Sequence, residues 1–181
     1  MLGALAGCCL ALTAAPGPSA LGAEAYDFAR AVARAGPRPA AGASERRAQE
    51  RVAGRFRAAG LRVGGDSFGV PGRGRSRNVV GVRDVPARCL VVVMAHADSV
   101  PPADGADDNA SGLGALVALS RSLREEAPSC DTWLVATGAE ERPYTGSPDH
   151  LGSLALVRRV RRLGRAGDLR YALSILSLIH I

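Results

Sequence analysis

The sequence predicts an α/β domain built on a largely parallel central sheet flanked by helices. Three observations carry that prediction. Leu90-Val-Val-Val-Met-Ala95 is an apolar run without alternation, the pattern of a strand buried on both faces. Thr132-Trp-Leu-Val-Ala136 is a second run of the same kind. Between them Leu113, Leu116, Val117, Ser120 and Leu123 recur at helical spacing, and Pro128 closes the stretch. Strand, helix and strand in succession mark a parallel unit.

The remaining elements follow in chain order. Residues 2–15 are an uncharged run rich in Leu and Ala, shorter than the roughly 20 residues that span a bilayer. Pro16-Gly-Pro18 and then Ala23-Glu-Ala25, an A-x-A pattern, come next. Residues 1–25 are therefore predicted to be a secretory signal peptide. The protein is expected to be secreted or extracytoplasmic, with no stable membrane span. Leu5-Ala-Gly-Cys8 resembles a lipoprotein box, but the apolar run continues past Cys8, which favours export without lipidation.

Ser44 is predicted to cap a helix over 45–59, closed by Gly60, with Ala48, Val52, Phe56 and Ala59 as its apolar stripe. Leu61-Arg-Val63 starts an extended segment, residues 69–77 read as a Gly/Arg surface loop, and Asn78-Val-Val-Gly-Val-Arg83 reads as a strand. Ser147, Pro148 and Asp149 announce a helix over 148–163. Tyr171-Ala-Leu-Ser174 begins another strand.

Isoleucine is absent from residues 1–174, yet Ile175, Ile179 and Ile181 fall within the last seven. The segment 175–181 is accordingly expected to be a non-native tail. Residues 26–174 are then one domain, incomplete at its C-terminal end.

The chain is 47% hydrophobic, which excludes wholesale disorder, and carries a net charge of +6. All 23 basic residues are arginine, and the Gly/Arg loop contains no interleaved aromatic residue, so nucleic acid is not expected as a partner. Once a signal peptide is removed, Cys89 and Cys130 remain, each just ahead of an apolar strand. A disulfide between them is predicted.

Polar residues gather where the strands end. His96-Ala-Asp98 follows the first buried run, Asp107-Asp-Asn-Ala-Ser-Gly112 precedes the central helix, and Gly138-Ala-Glu-Glu141 follows the second run. In open α/β sheets this edge is where ligands bind. Acidic clusters converging there need a cation, and histidine with carboxylates suits zinc. His96 and Asp98 lie two apart and point the same way from an extended strand, so Asp98 can orient the imidazole. Glu140 and Glu141 are adjacent and diverge: one can ligate a metal while the other faces water as general base.

The triple motif, His96-Ala-Asp98, Asp108-Asn-Ala-Ser-Gly112 and Gly138-Ala-Glu-Glu141, resembles metallopeptidase family 28, the co-catalytic dizinc aminopeptidases. The resemblance runs from about residue 26 to 174 and implies the fold of the zinc-dependent exopeptidases. It implies that His96 is a terminal ligand of one zinc, Asp108 the carboxylate bridging both, and Glu141 a terminal ligand of the other. Glu140 would be the general base, Asp98 the residue orienting His96, and Asp107 a shaper of the loop. The implied activity is hydrolysis of N-terminal peptide bonds, with a peptide as the substrate. The family also uses an Asp at the end of the next strand, expected here near Leu176, and a more distant His. Neither has a counterpart, so this chain is expected to be an inactive, C-terminally truncated piece. His180, in the tail, is not taken as a ligand, and His150 is read as a surface or capping residue. The alternatives are a glutaminyl cyclase or carboxypeptidase on the same scaffold, or a non-catalytic binding relative.

Overall fold

The computed structural model describes residues 18–145 and 150–176. The Cys8 box, the Ser147–Asp149 helix start and His180 lie outside the described residues. Helix α1 (Pro18–Ala33) and helix α2 (Ala43–Ala58) come first, followed by strands β1 (Arg62–Val70), β2 (Gly74–Arg83) and β3 (Leu90–His96). A π-type turn (Ala106–Ser111) leads into α3 (Gly112–Glu125), then β4 (Asp131–Thr137). A short α4 (Arg142–Thr145), the longer α5 (Leu151–Arg162) and strand β5 (Leu169–Ser174) complete the order. No helix among the described residues is long and apolar enough to cross a membrane.

The sheet of the predicted α/β class is mixed. Its order is β1-β2-β4-β3-β5. Strands β4, β3 and β5 run parallel, whereas β1 pairs antiparallel with β2 and β2 with β4. The antiparallel half arises because the segment expected to be a loop over 69–77 is mostly strand. Residues 71–73 make the turn, and Arg75, Ser76 and Arg77 pair with Gly69, Phe68 and Ser67. Pro71-Gly72 supplies the turn chemistry, with Gly72 at φ 68°.

The continuous apolar runs are explained by burial on both faces. Leu134 and Ala136 of β4, with Val93 and Ala95 of β3, pack toward α1, α2 and α3. Trp133, Val135, Leu90 and Val92 face the other way, against Leu156 and Val160 of α5. Phe56 of α2 is fully buried and lies so close to β2 that a Cβ at Gly81 would collide with its ring.

One local expectation needs correction. The cap of α2 is Gly42, in extended conformation, not Ser44; the Ser44 hydroxyl donates instead to the Pro37 carbonyl at 2.8 Å. Helix α1 runs through Ala25, the predicted cleavage position, and buries Phe28 and Val32 in the core. Cys89 and Cys130 form a disulfide joining the entries to β3 and β4. Ile175, the first residue assigned to the tail, continues the β3–β5 ladder by donating its N–H to the Met94 carbonyl at 2.8 Å.

Candidate metal centre

Parallel pairing aligns His96 with Thr137, so β3 and β4 deliver their following loops to the same sheet edge. His96 is buried at the end of β3. Its Nε2 lies 2.8 Å from Asp108 Oδ1. Its Nδ1 lies 3.1 Å from the Asp98 carbonyl and 3.7 Å from the Asp98 carboxylate. One donor atom from each of His96, Asp108 and Glu141 falls within 4.8 Å of the others. Together they line a cleft of about 450 Å³ with Glu140, His150, Met94 and Leu176. One imidazole nitrogen and two carboxylate oxygens form a donor set that suits zinc.

Asp98 is fully buried, and its main bonds are to the neighbouring turn rather than to the imidazole. Its carboxylate accepts the Glu140 N–H at 3.0 Å and the Glu141 N–H at 2.9 Å. The two preceding amides are held as well: Gly138 N–H by Asn78 Oδ1 at 3.2 Å and Ala139 N–H by Glu45 Oε1 at 3.0 Å. Three buried side chains thus fix the backbone of four successive residues, and Glu140 and Glu141 diverge from it.

Glu140 is held on the opposite side by α5. Its Oε1 accepts the Ser153 N–H at 2.6 Å and the Ser153 hydroxyl at 3.0 Å, and its Oε2 lies 3.2 Å from His150 Nδ1. The first turn of α5 can approach this closely because residue 152 is glycine; a Cβ there would strike the Gly138 carbonyl. His150 is exposed, as expected of a surface residue, and makes no side-chain cap to α5, while its ring reaches Glu140. The loop carrying Asp108 is anchored by Arg38, a buried guanidinium that donates to the carbonyls of Ala97, Asp104 and Gly105 at 2.7, 2.6 and 2.9 Å. Asn109 is fully buried, bonded to the Gly112 N–H and the Ile175 carbonyl, so its side chain ties this loop to the chain just past β5.

Arg38, Glu45, Asn78 and Ser153 were not legible as site residues. Their only sequence signals are weak: Glu45 and Ser153 each stand in the first turn of a helix, where a polar side chain can reach free backbone groups.

The electrostatics follow from crowding. Burial raises Glu140 and Glu141 above the usual carboxylate range, and nearby Asp98 adds to both, with Asp108 adding to Glu141. Burial also pushes Glu45 up from 4.5 to about 7. For His96 burial alone would lower the pKa, but Asp98, Asp108 and Glu141 together outweigh it and raise the imidazole from 6.5 to about 9. Both raised groups bind protons more tightly folded than unfolded. Glu45's stabilising protonation is complete below 4.5 and lost as pH rises through about 7; that of His96 is complete below 6.5 and lost through about 9. Metal binding needs the opposite states, a neutral imidazole and ionised carboxylates. The stability of the metal-free protein should therefore fall as pH rises from 4.5 to 9, while the increase in melting temperature produced by zinc grows. Thermal melts with and without zinc across that range check both trends; a zinc effect independent of pH would contradict them.

Residues 78–160 match the family described as Peptidase family M28. Aminopeptidase YwaD of Bacillus subtilis (strain 168) is 35% identical over an alignment of 89 residues that covers 46% of this chain and 20% of YwaD. BSAP, a zinc aminopeptidase from Bacillus subtilis, superposes with a TM-score of 0.75 at 15% identity, over 87% of this chain and 69% of BSAP. Fimbriiglobus ruber glutaminyl cyclase superposes with a TM-score of 0.74 at 18% identity, over 86% of this chain and 60% of the cyclase. At these identities the two structures share the fold with this chain. The stretch matched to YwaD spans one fifth of that relative's length.

Proposed function

We propose, on the match of residues 78–160 to peptidase family M28, that this chain is a zinc-dependent exopeptidase of the aminopeptidase type, hydrolysing N-terminal peptide bonds. The observation that carries the reading is the convergence of His96, Asp108 and Glu141 within 4.8 Å in the cleft that also holds Glu140. His96, Asp108 and Glu141 would hold zinc, with Asp108 shared between the ions of a two-metal centre. Bound zinc supplies Lewis-acid polarisation of the scissile carbonyl and acidifies water.

The protein's own groups do the rest. Ser153 occupies Glu140 Oε1 with two donors, which leaves Oε2 to accept the proton of the attacking water. Burial raises the Glu140 pKa, which helps the carboxylate hold a proton taken from water until it is returned to the leaving amine. His150 Nδ1 stands 3.2 Å from Oε2, close enough to share a hydrogen bond with it. Asp98 keeps Glu140 and Glu141 on divergent paths. The Cys89–Cys130 disulfide fits an oxidising, extracytoplasmic location.

The test is release of amino acids from chromogenic aminoacyl amides by the full-length gene product, abolished by a chelator and restored by zinc. Hydrolysis indifferent to the chelator would overturn the reading. A second reading, cyclisation of N-terminal glutaminyl peptides, is favoured by the TM-score of 0.74 to a glutaminyl cyclase beside 0.75 to a zinc aminopeptidase. Ring closure of a glutaminyl peptide with no release of free amino acid from any aminoacyl amide would put it first.

A further inference from the structure

We propose that Glu45 is a positioning residue of this site, acting on Glu140 and Glu141 through the backbone of Ala139. The inference rests on the roles assigned above to those two residues. Glu45 stands in the first turn of α2, where a glutamate ordinarily serves its own helix by accepting a free amide at the helix start. One oxygen does this: Oε2 accepts the Ala41 N–H at 2.8 Å. The other does not. Oε1 accepts the Ser76 hydroxyl of β2 at 2.8 Å and, 94 residues away in sequence, the Ala139 N–H at 3.0 Å. A residue needed only for helix capping would not be fully buried between α2, β2 and the turn after β4.

Ala139 is the pivot of that turn. It is itself fully buried and sits at φ 53°, a left-handed conformation that a residue with a Cβ adopts only when its surroundings impose it. Its carbonyl accepts the Leu151 N–H at 3.0 Å, so Glu45 and the start of α5 hold the two peptide groups that flank the same residue. With Ala139 held, Asp98 can take the next two amides, and the side chains of Glu140 and Glu141 depart in different directions. Without the Glu45 oxygen the turn loses the contact that defines its first step. The expected result is a looser Glu141 and weaker zinc binding, although Glu45 touches none of the three candidate ligands.

The experiment compares Glu45→Ala, Glu45→Gln and a control, Val52→Ala, which removes buried volume from the same helix without reaching the turn. Amide exchange of the 138–141 segment and zinc affinity by chelator competition are read on each. Glu45→Ala should speed exchange of that segment by about tenfold beyond Val52→Ala. It should weaken zinc binding by about tenfold or more. Glu45→Gln, which keeps an acceptor oxygen for Ala139, should restore most of both. If Glu45→Ala does not fold, Glu45→Met, which fills the same volume without an acceptor, takes its place: faster exchange confined to 138–141 relative to Glu45→Gln supports the proposal, and equal exchange in the two overturns it. Equal exchange and equal zinc affinity in Glu45→Ala and Val52→Ala also overturn it. A wild-type chain that binds no zinc overturns the metal reading of the site, while the exchange difference still decides the role of Glu45.

Discussion

Replacing Glu140 with Gln should lower hydrolysis by the full-length gene product by roughly 10²–10⁴-fold while leaving its zinc content unchanged. The substitution keeps shape and an acceptor oxygen, so the two Ser153 donors at 2.6 and 3.0 Å retain their partner. It removes the one property the mechanism needs, the capacity to take a proton at Oε2 and give it back. Glu140 is not among the three converging donors, so metal binding has no reason to change. Steady-state turnover with an aminoacyl amide, paired with metal analysis of the same sample, checks both halves. Activity surviving within about tenfold of wild type would remove Glu140 from the role of base. Loss of zinc together with activity would move it into the ligand set.

The second large effect belongs to Asp98. Asp98→Ala leaves the Glu140 and Glu141 amides, now bonded at 3.0 and 2.9 Å, without an acceptor in a buried turn. Each orphaned amide costs about 1–3 kcal/mol, so the variant should lose about 2–6 kcal/mol of stability in urea denaturation. Zinc affinity should fall as well, by about 10–100-fold, as it does when a group behind a metal ligand is removed. Asp98→Asn keeps one oxygen for the amides and should recover much of the stability but little of the affinity, since the charge beside His96 is gone. Equal zinc affinity in wild type and Asp98→Asn would confine Asp98 to holding the turn.

The legible part of this protein was the part written in apolar periodicity. The runs at 90–95 and 132–136 are β3 and β4, and the stripe of Ala48, Val52 and Phe56 is the buried face of α2. The three polar clusters were equally legible, because strand ends in a parallel unit are fixed once the strands are known. The hairpin was harder. Strand β1 alternates irregularly between exposed and half-buried residues, and its partner begins with an Arg-rich stretch, so neither periodicity nor composition distinguishes it from a loop. The support of the site was least legible. Arg38, Glu45 and Asn78 are buried polar residues whose partners lie 59, 94 and 60 positions away along the chain. No local pattern encodes such a distance. His150 was discounted because its place at a helix start has an ordinary explanation, and only the fold brings it to Glu140.

Strand β5 has a bearing on the site that its position at the sheet edge conceals. All six of its residues are exposed, and among the described residues it pairs only with β3. Edge segments of this kind open at lower free energy than the interior strands beside them. The chain just past β5 is bonded to the centre, since the Asn109 side chain donates to the Ile175 carbonyl at 2.7 Å while its oxygen accepts the Gly112 N–H. Fraying of β5 therefore removes one of the bonds that hold Asn109, the neighbour of Asp108. The carboxylate most central to the proposed metal centre is anchored on one side by the buried Arg38 loop and on the other by the least secure strand of the sheet. Opening of that strand would remove one anchor of the candidate metal centre, a contribution separate from the ligands themselves.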